Sequence, residues 1–147
     1  MLKLASKKLS VVARKKTRAK IGILEIDQGW YHLVERFLGS DFDVSAISLK
    51  DILFSNIDIG EYHSILVYYA IKYEAIDISA TLDLITIIKN FSAKPPALLL
   101  ITDYADSQIT AEARSYLPQI DGVFAKDQDL VLLLKILKVI AKSRYFN

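Results

Sequence analysis

The amino-acid sequence predicts an α/β domain: a three-layer sandwich whose five parallel strands are covered on both faces by helices. Two observations carry that prediction. Short apolar runs of strand length recur between Ile21 and Ala125, and buried parallel strands read as such near-continuous runs. Between them, apolar residues recur three and four apart. Strand and helix therefore alternate, and each strand returns to the sheet through a right-handed crossover. In an open sheet of this kind the chemistry gathers at the carboxyl edge. Two runs end there on polar side chains, LLLITD passing through Thr102 and DGVFAK ending on Lys126.

The elements follow in order. Ile21 to Ile26 is an apolar strand. Trp30, Leu33, Val34, Phe37 and Leu38 then fall at helical spacing, and Gly39 reads as the C-terminal cap. Phe42 to Ile47 is the second strand, placed nearer an edge because its residues alternate. Leu49 to Phe54 gives a short helix, and SILVYY, Ser64 to Tyr69, is the third strand. Ser79 or Thr81 is expected to cap a helix carrying Leu82, Ile85 and Ile88, and Pro95-Pro96 stops the chain before the fourth strand. Ala111 to Leu117 reads as a polar fourth helix. Asp121-Gly122 turns into the fifth strand, Val123 to Ala125, and Leu130 to Arg144 is the last helix.

Composition narrows the function classes. With 147 residues, 52% hydrophobic and 24% charged, the chain is long enough for one packed domain. It has no cysteine, which excludes disulfides, thiolate metal sites and a Cys nucleophile. His32 and His63 are its only histidines, too few for a His-rich metal cluster. No apolar run approaches the roughly 20 residues that cross a bilayer, so a cytoplasmic location is expected. Gly22 and Gly29 lack phosphate-loop spacing; no small-molecule substrate and no enzymatic activity are expected.

The net charge of +2 hides an asymmetry. Residues 1–20 hold eight bases and no acid, leaving 11 bases against 17 acids, or −6, for residues 21–147. Residues 1–19 therefore read as a basic, flexible arm on a domain spanning 20–147. The arm is open to several readings: a solvated tail, a transit peptide, or an adaptor. As an adaptor, Leu2, Ala5, Leu9 and Val12 would share one helical side against an anionic membrane, or Arg14, Lys15 and Lys16 would grip nucleic-acid phosphates.

From Lys20 to about residue 145, the ordered set KIGILEID, SILVYY, ALLLITDYAD and DGVFAKD resembles the receiver domain of bacterial response regulators, the chemotaxis-type module. The resemblance implies a (βα)5 flavodoxin-like fold with strand order 2-1-3-4-5. It also implies a pocket in which two acids and an Asp hold Mg²⁺, the Asp takes phosphate from a histidine kinase, and a hydroxyl and a lysine complete the site. Thr102 matches the hydroxyl and Lys126 the lysine. Glu25 matches the first acid, Ile26 falls on the second, and Asp27 stands just beyond. The phosphoacceptor position falls on Tyr68, or on Tyr69 if the register slips by one. Val123 takes the place of a frequent aromatic, and Asp127 that of a Pro.

These departures outweigh the matches. A phenol has a pKa near 10 and sits farther from the backbone than a carboxylate, so it replaces the acceptor poorly. Ile26 removes a hard oxygen ligand. The sequence therefore implies a pseudo-receiver, with no cofactor, working as a protein-protein interaction module. The rival reading is a phosphoacceptor using another acid: Glu25, Asp27 and Asp103 could gather beside Lys126 around Mg²⁺, although Lys126 paired with one of them needs no metal.

The last helix points to a partner. Lys135, Lys138 and Lys142 fill a narrow polar sector while its apolar residues sweep about 220°. Packing on a sheet needs an arc of about 100° or somewhat more. Val131, Leu132, Ile136 and Val139 are the candidate interaction residues, for a protein partner or a second copy, unless the tail SRYFN folds back over them. Tyr62, Tyr68, Tyr69 and Tyr73 form an aromatic patch around the third strand, read as packing or as a recognition surface.

Overall fold

The computed structural model describes residues 18–24, 28–69, 75–90 and 92–146. Most of the basic arm, together with Glu25, Ile26, Asp27 and Tyr73, lies outside the described residues. The elements run β1 Lys20–Leu24, α1 Gln28–Leu38, β2 Asp43–Ile47, α2 Leu49–Leu53, a short 3₁₀ turn Ile59–Glu61, β3 Ser64–Tyr68, α3 Ala75–Asn90, β4 Ala97–Thr102, α4 Gln108–Arg114, β5 Gly122–Ala125 and α5 Leu130–Phe146. The five strands pair in parallel in the order β2-β1-β3-β4-β5. This is the (βα)5 flavodoxin-like fold, with β2 at an edge as its alternation implies.

Alternation along the strands sends apolar side chains to both faces. Ile65, Val67, Leu98 and Leu100 meet Ile52 of α2, Ile85 and Ile88 of α3, and Ala113 of α4. Their neighbours Ile21, Ile23, Leu66, Leu99 and Ile101 meet Trp30, Val34 and Leu38 of α1 and Leu133 and Leu137 of α5. Three helices thus cover one face and two the other. Each fully buried aliphatic side chain contributes about 1.5–3 kcal/mol, and every β4 residue is buried.

Local chemistry places the helix starts. Ser48 opens α2 with a capping box: its hydroxyl accepts from Asp51 N at 3.1 Å while the Asp51 carboxylate accepts from Ser48 N, also at 3.1 Å. Ser107 opens α4 by accepting from Thr110 N at 3.1 Å. That cap starts the helix at Gln108, three residues before the expected Ala111, and it ends at Arg114. The start of α3 corrects the sequence reading as well. The helix begins at Ala75, so Ser79 and Thr81 lie inside it and not at its start. No breaker interrupts Ala75 to Ala80.

Gly39 follows α1 as expected, for a different reason. No described glycine has a positive φ. A Cβ at Gly39 would sit 2.6 Å from the Glu35 carbonyl oxygen, which accepts from Gly39 N at 2.9 Å; the close approach needs a residue with no side chain. At the other end of the chain, α5 continues through Phe146. Ser143 to Phe146 therefore extend the helix and do not fold back across it.

Candidate functional site

The carboxyl ends of β3, β4 and β5 bring together three polar side chains from separate parts of the sequence. The Tyr68 hydroxyl, at the end of β3, donates to Asp103, lying 2.9 and 2.8 Å from its two carboxylate oxygens. Lys126, just after β5, places its ammonium 3.6 Å from Asp103 Oδ1 and 4.3 Å from the centre of the Tyr68 ring. The lysine side chain is only 18% exposed, so the carboxylate and the ring face act on a partly desolvated cation. Asp103 neutralises the lysine and accepts the phenol proton bond at once.

Thr102, assigned to the same pocket from sequence, is not brought into this cluster. It is fully buried, and its hydroxyl lies 2.7 Å from that of Thr110 on α4. Its carbonyl does reach the lysine strand, accepting from Lys126 N at 2.8 Å.

The register also separates the two tyrosines that the sequence left open. Tyr68 pairs with Ile101, so one step further Tyr69 stands level with Thr102. Tyr69 is buried in the core beneath α3 and α4. Its hydroxyl donates to Tyr116 at 3.4 Å, and the two rings meet edge to face at 5.7 Å. Burial first, and the Tyr116 bond second, hold the Tyr69 phenol well above its ordinary pKa of 10.0. The residue level with the hydroxyl position is therefore a neutral, packed ring, and the residue beside the lysine is its neighbour Tyr68. Alternation along a strand produces this division.

Glu25 and Asp27 lie outside the described residues. Among those described, no three His, Cys, Asp or Glu side chains are placed to hold a metal ion. Asp103 already engages a phenol and an ammonium, whereas Mg²⁺ demands near-octahedral oxygen ligation. The described donors do not fit the magnesium that the receiver resemblance implies. Val123 is half-buried against the core. Asp127 Oδ1 accepts from Ala105 N at 2.9 Å.

The outer side of α5 is different in kind. Leu133 and Leu137 are buried, while Val131 and Leu132 are each 42% exposed and Val139 is 68% exposed. Ile136 is half-buried and packs on the core, so three of the four candidate interaction residues face outward and one does not. Lys135, Lys138 and Lys142 stand exposed among them, Lys138 with its ammonium 3.6 Å from Asp41. The apolar arc that looked excessive from sequence splits into a packed sector and an open one.

Sequence reasoning missed two features. Thr110 had no motif to mark it beyond its position three residues after the capping Ser107. A cavity of about 320 Å³ opens at the carboxyl ends of β1 and β2, lined by the buried Ile23 and Ile47 and the more exposed Gln28, His32 and Ser48. It lies beside a different pair of strands from the lysine cluster.

Response-regulator receiver domains share this fold. A receiver domain protein from Bacillus halodurans matches with a TM-score of 0.59 at 13% identity, over 84% of this chain and 97% of its own. A receiver domain from Methylobacillus flagellatus gives 0.59 at 13% identity, over 84% and 99%. The BeF3-activated DrrB receiver domain gives 0.60 at 17% identity, over 86% and 99%. Likeness at these identities is a likeness of fold. No family model and no curated protein matches the sequence.

Among the described residues no helix is long and apolar enough to cross a membrane.

Proposed function

We propose that the chain is a cytoplasmic signalling module of receiver fold that works by docking protein partners, without accepting a phosphoryl group and without enzymatic activity. The observation that carries this reading is the closure of the lysine cluster. In phosphoryl transfer a lysine stabilises the charge of the incoming group; here a built-in carboxylate, Asp103, stands 3.6 Å from Lys126. An incoming phosphate would meet that negative charge and would have to displace the ion pair. The residue level with Thr102, Tyr69, is buried and protonated, so it offers no anionic oxygen in exchange.

The docking surface is the outer strip of α5, where Val131, Leu132 and Val139 lie open among lysines. Scattered apolar surface is ordinary on a monomer, but three such residues share one outward helical sector, and grouped apolar surface rimmed by polar residues is what partners cover. A protein partner or a second copy would use it. The direct test is incubation with acetyl phosphate and Mg²⁺ followed by intact mass. An unchanged mass is expected; a gain of about 80 Da, the mass of one phosphoryl group, would replace this reading with that of a phosphoacceptor using another acid.

The eight bases of residues 1–20 favour a second reading, an adaptor that holds nucleic acid or an anionic membrane through the arm. Deleting residues 1–19 then abolishes binding to DNA or to anionic vesicles. Unaltered binding removes it.

A further inference from the structure

Two sets of bonds converge on one short segment, the loop from Asp103 to Ser107 between β4 and α4. From the sheet side, Asp103 is held by the Tyr68 hydroxyl and the Lys126 ammonium, and Ala105 N donates to Asp127 at 2.9 Å. From the helix side, the Thr110 hydroxyl donates to the Tyr104 carbonyl at 2.5 Å. A hydroxyl has one proton to give. The 2.7 Å contact between Thr102 and Thr110 is therefore a donation from Thr102, and a relay runs from β4 through α4 to the loop backbone. Ser107, while capping α4, donates to the same Tyr104 carbonyl at 2.8 Å.

The two sets differ in accessibility. The Thr102–Thr110 contact is buried. The Asp103 side chain is 46% exposed and is a sheet-side attachment whose partners, Tyr68 and Lys126, come from two other strand ends. Between the attachments, the Tyr104 ring projects outward, 66% exposed.

We propose that Tyr68, Asp103 and Lys126 form a latch that fixes the loop 103–107, so that Asp103 acts as a permanent internal counter-ion and Tyr104 is held out in one position. This deepens the reading of the same site and rests on its internal ion pair. With the latch closed, loop and α4 are tied to the sheet at both ends. With it open, the loop keeps its bonds at the Tyr104 carbonyl and the Ala105 amide but loses its tie at Asp103, so residues 103–107 loosen while the buried threonine contact keeps α4 seated. The device sets a conformation by an internal charge where a phosphorylated module would need a covalent one.

Amide hydrogen exchange on the full chain tests the latch without any phosphate, so its outcome is separable from that of the mass measurement. Asp103→Asn removes the charge that engages Lys126, and exchange at residues 104–107 is expected to quicken about tenfold or more, as local opening does when its tether is lost. Tyr68→Phe removes one hydrogen bond and is expected to give a smaller increase confined to the same amides. Amides of β1, β3 and β4 keep wild-type rates in both. Loop exchange unchanged in Asp103→Asn would overturn the latch, and so would an acceleration spread evenly over the sheet. Lys126→Gln serves as the second variant: it must loosen the same loop amides, and wild-type rates there would overturn the proposal independently.

Discussion

The carboxyl edge at β3 to β5 is closed on itself, whereas the outer strip of α5 is open. At the edge three described polar side chains have internal partners. The Tyr68 hydroxyl meets Asp103, the Lys126 ammonium meets the same carboxylate, and the Thr102 hydroxyl meets Thr110. On α5 the apolar side chains Val131, Leu132 and Val139 face outward among lysines. In a receiver-type fold the first region is where a phosphoryl group would be handled. On the proposed reading that region's charges hold a loop, and the surface that engages another molecule is the strip on the last helix.

The contrast can be broken most forcefully through α5. Leu137 is buried on its inner side, and Leu137→Ala is expected to cost about 2–5 kcal/mol in urea unfolding, the transfer and cavity terms acting together. A cost near zero would mean that the helix is not seated on the sheet as described.

Tyr69→Phe probes the closed edge with an intermediate effect. Losing its bond to Tyr116 is expected to cost about 1 kcal/mol near neutral pH. The pH dependence gives the sharper reading. Because the folded state raises the Tyr69 pKa above 10.0, it favours the protonated phenol. That contribution is fully present below the unfolded value and is lost as pH rises above it through the folded value. Stability of the wild type therefore falls as pH climbs past about 10, and Tyr69→Phe flattens that fall. An equally steep loss in the variant would locate the alkaline transition elsewhere.

The smallest effect is expected on the open strip. Val139→Asp, at a side chain 68% exposed, should change stability by no more than about 0.5 kcal/mol while weakening whatever docks there. A large stability loss would mean that the strip is part of the core.

How much of this was legible in the sequence depends on whether periodicity or register decides the question. The alternation of strands and helices was legible because burial on both faces leaves apolar runs, and the edge position of β2 because its residues alternate. The pairing of Lys126 with an acid was foreseeable, with Asp103 among the three named. Which tyrosine meets the lysine was not, because one step along a strand exchanges the faces. Thr102 read as a pocket residue from its place at the end of an apolar strand, yet its hydroxyl turns to Thr110, a contact across the sheet-helix boundary that no spacing reveals. The start of α3 was misplaced because hydroxyl residues favour caps on average, and Ser79 and Thr81 sit in a stretch that was already helical.

The central claim is that Lys126 already has its anion and that the edge accepts no phosphoryl group. It is tested most directly by titrating the protein with beryllofluoride and Mg²⁺, a non-covalent phosphoryl mimic, while following backbone amide resonances. The account predicts that the amides of Tyr68, Thr102, Asp103 and Lys126 do not shift at saturating mimic. Saturable shifts at Thr102 and Lys126, abolished by Lys126→Gln, would contradict it.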